Sequence, residues 1–272
     1  MTFPDSFLLL QQEGYLIRTS LGQGLTLLRS ADLGEKGHYY GAFFGLSIGL
    51  ERMLKVIVIL DHMSRNQLAP PSGAVLRKLG HDLQGLLTAV RGIPSRQSPH
   101  PMDRIRPGSI EQDIVDHLGQ FAEACGRYAN LDALTSGRVQ ADPLGNWKRI
   151  LERILEEDVP GRAKDKARIG GKALAAAMSG SAKVIAHDLG KQPLSLEEWF
   201  VIPRMHELAA PKAIARTFGI LRPVKSLLEE VNDLVTAETH RQRHATPVVP
   251  FMYEFFDFIS DHPSVLHKKR WP

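Results

Sequence analysis

Cysteine is almost absent from this chain: Cys125 is the only one among 272 residues. A single cysteine excludes an intrachain disulfide framework and any zinc site built from several thiolates. A small apolar residue in a reducing compartment is a sufficient explanation for it. The chain must therefore be held together by an ordinary hydrophobic core, which 43% apolar content allows.

Long apolar runs are also missing. The run Val56–Leu60 has five residues, whereas a membrane-spanning helix needs about 20. The first residues, MTFPDSF, lack the basic start and the apolar core of a signal peptide. We therefore expect a cytoplasmic protein that has no membrane partner.

Alternation of apolar and polar residues with a period of two, which is typical of a half-buried β-strand, is nowhere sustained. Apolar residues recur at helical spacing instead, so the sequence predicts an all-α protein. The seventh predicted helix is expected to break near its prolines, Pro203, Pro211 and Pro223. The predicted helices cover residues 6–30, 38–62, 72–91, 109–134, 142–158, 163–187, 195–235 and 247–261.

Three glycines, Gly41, Gly45 and Gly49, recur every four residues in the second predicted helix. This spacing places them on one side of the helix, where another helix can approach closely. Each glycine costs about 1 kcal/mol of helix propensity relative to alanine. We expect close helix packing to offset that cost.

Basic side chains slightly outnumber acidic ones, and the formal net charge is +4. Residues 1–136 hold 13 basic and 13 acidic side chains, so the whole excess falls in residues 137–272. So small an excess is only a weak signal that the protein binds nucleic acid. The basic residues are explained more simply by a solvated helix face and a frayed tail at residues 267–270. If RNA binds, we expect phosphate contacts from the Arg91–Arg106 loop or from Arg162, Lys164, Lys166 and Arg168.

Three polar groups interrupt apolar helices: Glu51 with Lys55, His81 with Asp82, and Arg127 with Tyr128. Glu51 precedes Lys55 by four residues, which is the favourable orientation for an ion pair within a helix. Buried polar groups are normally satisfied by one another. We therefore expect the three groups to converge at helix interfaces and to fix the packing of the helices.

These groups belong to the motifs Gly49–Lys55 (GLERMLK), Gly80–Leu87 (GHDLQGLL) and Gly126–Tyr128 (GRY). In order and rough spacing the motifs resemble the HEPN superfamily, over residues 36–134. The resemblance implies an up-and-down helical bundle that often pairs with a second copy. The superfamily includes metal-independent RNases, proteins that bind RNA or nucleotides, and members of toxin–antitoxin and antiviral systems, so the resemblance implies a function of one of these kinds.

Catalytic members of that superfamily carry an arginine, then four to six residues, then a histidine. No histidine here has an arginine at that distance, and the nearest pairs, Arg77 with His81 and Arg96 with His100, are each one residue short. On one helix Arg77 and His81 would share a face. There the arginine could hold a phosphate and the histidine could move a proton, which defines an endoribonuclease alternative.

Two further segments have weaker signals. His240 and His244 have the spacing of two zinc ligands on a helix, but the glutamate that follows the first histidine in metalloproteases is missing. No metal and no other cofactor is predicted. The apolar segment Pro247–Phe258 is expected to close the core as a helix, with an exposed partner-binding patch as the alternative.

We therefore predict an all-α protein in which residues 1–136 form a HEPN-like up-and-down helical bundle. Residues 137–272 form a further helical region of unknown role, and one continuous helical assembly is the alternative. The expected function is non-catalytic: a homodimeric module that binds RNA or a protein partner in a stress or phage-defence system. The alternatives are a metal-independent endoribonuclease that uses Arg77 and His81, and a structural assembly subunit.

Overall fold

The computed structural model describes residues 2–123, 129–136 and 142–272. Within these ranges the fold is all-α, as predicted, and it contains no β-strand, although His187 and Pro193 form an isolated bridge. In the same ranges we find no helix whose length and apolar character would let it cross a bilayer. The α-helices are α1 (Asp5–Ser30), α2 (Lys36–Arg65), α3 (Gly73–Leu79), α4 (Leu83–Arg91), α5 (Ile110–Ala122), α6 (Ala129–Ser136), α7 (Pro143–Asp158), α8 (Gly161–Met178) and α9 (Leu196–Arg241). Short 3₁₀ helices cover Pro101–Arg104, Met252–Phe256 and Pro263–His267.

Helices α1 and α2 form an antiparallel hairpin with a very close approach at Gly24 and Gly45. A Cβ atom on Gly45 would lie 2.6 Å from the carbonyl oxygen of Ser20 and 2.9 Å from the Cα atom of Gly24. A Cβ atom on Gly49 would lie 2.6 Å from the Leu21 side chain. The predicted close packing along the glycines of α2 is confirmed.

The predicted helix over residues 72–91 is two helices, α3 and α4. Gly80 ends α3 with a φ of +54°, a conformation that favours glycine. The Asp82 carboxylate then accepts a hydrogen bond from the Gln84 backbone N–H at 3.0 Å and caps α4. The prediction of one helix is wrong because a stop signal and a start signal stand next to each other.

Two predicted helices end earlier than expected. Helix α8 ends at Met178, two residues before Gly180, whose φ is +81°. Helix α5 ends at Ala122, and the prediction that it continues to residue 134 falls partly outside the described residues, with α6 beginning at Ala129.

The segment Pro247–Phe258 packs on the core as predicted, but it is not an α-helix. It contains one 3₁₀ helix, Met252–Phe256, and both of these terminal side chains are buried. The Met252 backbone N–H donates to Asn232 Oδ1 at 2.6 Å. Because a side chain of α9 satisfies this group and prolines interrupt the segment, a continuous helix does not form.

Helix α9 runs unbroken for 46 residues through Pro203, Pro211 and Pro223, so the predicted breaks are wrong. Ser195 and Glu198 form a capping box that fixes its first turn. The helix packs against α1, α2, α5, α7 and α8. This burial outweighs a propensity cost of about 3 kcal/mol for each proline.

One hydrophobic core includes side chains from both predicted segments, 1–136 and 137–272. The chain returns to α1 at its end, where the Trp271 backbone N–H donates to Thr26 Oγ1 at 2.9 Å. The Trp271 side chain is 8% exposed and belongs to the core. Residues 267–270 are exposed as expected, but the expectation of a frayed tail is wrong because Trp271 anchors it.

Candidate functional site

The polar cluster on α2 is centred on Glu51, whose side chain is 10% exposed. Lys55 Nζ donates to the Glu51 carboxylate at 2.7 Å, and His81 Nδ1 lies 3.0 and 3.2 Å from its two oxygens. Glu51, Lys55 and His81 are three of the six residues predicted to converge, and they are in contact. Since a buried carboxylate is costly without partners, these two contacts stabilise the junction of α2 with the α3–α4 turn.

Each residue of the Gly-His-Asp-Leu segment has a structural role. Gly80 ends α3, and His81 bonds to Glu51 of α2. Asp82 caps α4 and so contributes a helix start rather than a further bond to the Glu51 cluster. Leu83 is fully buried in the core. Together these contacts fix the direction of the chain between α3 and α4.

Arg77 and His81 do not share a helical face, so that prediction is wrong. Arg77 lies in the last turn of α3, whereas His81 follows Gly80 and lies outside that helix. The Arg77 guanidinium folds back towards Gly73, where a Cβ atom would lie 3.5 Å from Nη1. Both side chains are exposed, that of His81 by 72%.

Arg127 and Tyr128 lie outside the described residues, so their predicted place in the cluster stays a prediction. Asn130, a neighbour in sequence, donates from Nδ2 to the Tyr40 hydroxyl at 3.0 Å. Along α2, Tyr40 is about 16 Å from Glu51, at a rise of about 1.5 Å per residue. Asn130 therefore contacts the first turns of α2 and not the Glu51 cluster.

The basic segment of α8 contributes four cations: Arg162, Lys164, Lys166 and Arg168. Helical spacing places Arg162 and Lys166 on one face and Lys164 and Arg168 on another. Lys164 Nζ donates to the carbonyl oxygen of Leu155 in α7 at 2.9 Å, and Arg168 pairs with a carboxylate one turn earlier. Arg162 and Lys166 are exposed and have no partner in the described part of the chain.

The Arg91–Arg106 loop is bound to α9 and is not a free basic arm. Glu230 of α9 accepts a hydrogen bond from the Arg96 backbone N–H at 2.8 Å. Arg91 donates to the carbonyl oxygen of Ile105 at 2.7 Å. The loop leaves the Arg96 and Arg104 side chains exposed for any contact with phosphate.

The two histidines with zinc-ligand spacing are not on one helix. Helix α9 ends at Arg241, so His240 lies in its last turn and His244 lies beyond it. Among residues 2–123, 129–136 and 142–272, no group of three or more His, Cys, Asp or Glu side chains could hold a metal ion.

Two histidines that the sequence analysis did not single out are buried. His206 Nδ1 lies 3.3 Å from the Tyr39 hydroxyl, and burial lowers the pKa of His206 to about 4. Burial also lowers the pKa of His117, in α5, to about 3. Both imidazoles are therefore neutral at pH 7. The sequence does not indicate that these histidines are buried, because each is one polar residue in an amphipathic helix.

Helix α1 has an uncharged surface that we call the α1 outer face. It consists of Leu8, Leu9, Gln12, Tyr15, Leu16, Thr19 and Gln23, all of them exposed or half-buried. The opposite side of the helix buries Leu10, Ile17 and Leu21. The seven-residue spacing from Leu9 to Leu16 is a signal that the sequence analysis missed, because apolar residues at helical spacing normally indicate the core.

Comparison of the chain with protein-family models, with curated proteins and with solved structures finds no match. A functional proposal therefore rests on the residues and contacts described above, and the HEPN resemblance stays an expectation from short motifs.

Proposed function

We propose that this protein is a non-catalytic, HEPN-like module that binds a protein partner through the α1 outer face. The observation that carries the proposal is the exposure of Leu8, Leu9, Tyr15 and Leu16 on one side of α1. Exposed apolar patches that are rimmed by polar residues are typical of protein interaction sites. A stress or phage-defence setting follows from the resemblance alone.

The partner that suits this surface is a second copy of the chain. From Leu8 to Gln23 the α1 outer face has no charged side chain, so two copies can meet without repulsion and without a complementary charge. A two-fold axis brings the same patch of both subunits together, so each copy presents the same uncharged surface to the other. The proposed partner is therefore a second copy of the chain, which makes the protein a homodimer.

The test is the mass of the protein in solution, measured by sedimentation equilibrium over a range of concentrations. Leu16→Glu places a carboxylate in the proposed interface, and we expect it to weaken dimerisation by at least about tenfold. Leu174→Glu on α8 is the matched control, because Leu174 is 40% exposed and Leu16 is 48% exposed. A monomeric wild type, or equal behaviour of both variants, would contradict the homodimer.

RNA is the alternative ligand, and it would use other residues. The α1 outer face offers no cation to a phosphate, whereas Arg162 and Lys166 on α8 are exposed. Binding through them would weaken as salt rises from low to physiological concentration. A fluorescence anisotropy titration with single-stranded RNA, for the wild type and for Arg162→Ala with Lys166→Ala, measures this. An affinity for RNA that does not depend on salt, or that is the same in the double variant as in the wild type, would contradict RNA binding through these residues.

A second candidate function is metal-independent RNA cleavage at His81. The observation that favours it is the 3.0 Å contact between Glu51 and Nδ1 of an exposed imidazole, which leaves Nε2 for proton transfer. Nε2 would accept the proton of a 2′-hydroxyl as its oxygen bonds to phosphorus. The 5′-oxygen of the next nucleotide would then leave with a proton from solvent.

Incubation with RNA in the presence of a chelator separates the two candidates. The non-catalytic proposal predicts no cleavage above background by the wild type. Cleavage by the wild type and by His267→Ala, with loss in His81→Ala, would establish the endoribonuclease instead. His267 is a suitable control because it is an exposed histidine near the end of the chain.

A further inference from the structure

Helix α8 contacts the rest of the molecule along one narrow side. Of its 18 residues, all of which the structure describes, two small ones are buried, Gly171 and Ala175. This side lies close to the first turns of α9, since a Cβ atom on Gly171 would lie 2.5 Å from Val201 Cγ2 and 3.0 Å from the Cα atom of Val201. The opposite side of α8 is exposed along the helix.

Helix α8 is also strongly basic. It has five basic side chains and one acidic side chain, so its net charge of +4 equals that of the whole chain. The acidic residue, Asp165, is exposed and pairs with Arg168 at 3.5 Å. The last two carboxylates of α7, Glu157 and Asp158, form ion pairs with arginines of α7 and α9. The positive charge of α8 is therefore largely uncompensated, which favours an anionic partner.

The exposed side of α8, which we call the α8 outer face, combines cations with aliphatic side chains. Its members, at helical spacing and opposite the two buried residues, are Arg162, Lys166, Ile169 and Ala173. The side chains of Arg162 and Lys166 form no ion pair or hydrogen bond with the described residues, and that of Ile169 is 68% exposed. A partner that fits this face has anionic groups and apolar groups side by side.

We propose that the α8 outer face binds in the major groove of duplex DNA. An α-helix with its side chains is about 10–12 Å across, and the groove is about 12 Å wide. Arg162 and Lys166 contact the phosphates that border the groove, while Ile169 and Ala173 contact thymine methyl groups on its floor. Duplex RNA has a deep, narrow major groove that side chains cannot read, so the fit favours DNA. The α1 outer face contributes no residue here, and the proposal is independent of the homodimer.

Fluorescence anisotropy titration of the full-length protein with a DNA duplex of about 20 A·T base pairs, at low salt, tests the proposal. Arg162→Gln combined with Lys166→Gln is expected to raise Kd at least about tenfold, because two phosphate contacts are lost. Lys78→Gln combined with Arg243→Gln is the matched control, since it removes the same charge from exposed side chains outside α8. The control variant should bind the duplex as the wild type does.

Two further duplexes test the groove without any variant. A DNA duplex with uracil in place of thymine keeps the charge but lacks the methyl groups, and its Kd should be at least about threefold higher. The RNA duplex of the same sequence should bind more weakly than either DNA. The proposal would be overturned by no binding of DNA at micromolar protein concentration, by equal weakening in the two double variants, or by equal affinity for the thymine and uracil duplexes. Duplex or single-stranded RNA that binds as tightly as the thymine duplex would also overturn it.

Discussion

At the scale of single residues, Glu51 joins two parts of the chain, α2 and the turn between α3 and α4. Its carboxylate accepts hydrogen bonds from Lys55 in its own helix and from His81 in the turn between α3 and α4. Because the carboxylate is buried, its removal leaves a half-buried ammonium group without its partner. Buried ion pairs lose much more on truncation than exposed pairs do.

We predict that Glu51→Ala lowers the free energy of unfolding by about 2–3 kcal/mol. Glu13→Ala is the matched control, since Glu13 pairs with Arg52 and both side chains are more than a third exposed. That exposed pair should contribute about 0–1 kcal/mol. Urea denaturation of both variants checks the difference, and equal losses would mean that the Glu51 cluster does not hold the helices together.

A second prediction at this scale concerns His206. Its pKa falls to about 4 in the folded protein, whereas an unfolded histidine titrates near 6.5. Its contribution to stability is therefore complete above pH 6.5 and is lost as the pH falls towards 4. Between pH 7 and pH 5 this amounts to about 2 kcal/mol.

Urea denaturation at pH 7 and at pH 5 measures the effect. The loss of stability between the two pH values should be smaller in His206→Gln than in the wild type, by about that amount. His262→Gln, at an exposed position, should leave the loss unchanged. A loss in His206→Gln that equals that of the wild type would show that His206 is not buried in its neutral form.

At the scale of elements, the contact between α1 and α2 depends on residues that lack a side chain. Alanine at Gly45 would place its Cβ atom against the Ser20 carbonyl and the Gly24 backbone, neither of which can move aside as a side chain would. Overpacking of this kind costs about 1–3 kcal/mol. This cost exceeds the gain of about 1 kcal/mol in helix propensity.

We therefore predict that Gly45→Ala lowers the thermal unfolding temperature, whereas Gly37→Ala does not. Gly37 is the matched control because it lies in the same helix and a Cβ atom there would meet no atom of the described residues within 4 Å. Differential scanning calorimetry measures both variants. If Gly45→Ala were as stable as Gly37→Ala, the close approach of α1 and α2 would be disproved.

Helices with clear start signals could be predicted from the sequence, and others could not. The predicted start at residue 109 agrees with α5, where Ser109 is the N-cap and its Oγ accepts from the Gln112 backbone N–H. The continuity of α9 could not be predicted, since its prolines indicate breaks and only burial against other helices overrides them. Likewise the end of α3 depends on Gly80, which the helical pattern of residues 72–91 conceals.

The candidate sites were predictable to different degrees. The ion pair of Glu51 with Lys55 follows from their spacing, and the contact with His81 agrees with the order of the motifs. The α1 outer face could not be predicted, because a leucine pattern does not reveal which side of a helix is exposed. His117 was missed for a similar reason, since its burial depends on α7, which contacts it from a later part of the chain.

At the scale of the whole molecule, the last residues complete the core. Trp271 is 8% exposed and lies near Phe218 of α9, with ring centroids 6.4 Å apart. Its backbone also bonds to α1. The C-terminal segment therefore connects the first helix to the long ninth helix.

We predict that Trp271→Ala destabilises the protein by about 3 kcal/mol, the usual cost of removing a buried aromatic side chain. Trp199→Ala should cost less than about 1 kcal/mol, since Trp199 is 38% exposed. Guanidinium denaturation of the two variants provides the comparison. Similar stability of both would show that the C-terminal segment does not contribute to the core.

The assembly of two copies through the α1 outer face is the central claim, and cross-linking tests it most directly. Leu16→Cys, in a Cys125→Ser background, is treated with a short bis-maleimide at micromolar protein concentration, and Leu174→Cys is treated in the same way. The account predicts a covalent dimer for Leu16→Cys and a monomer for Leu174→Cys. A monomer for Leu16→Cys, or equal dimer yields for the two variants, would contradict it.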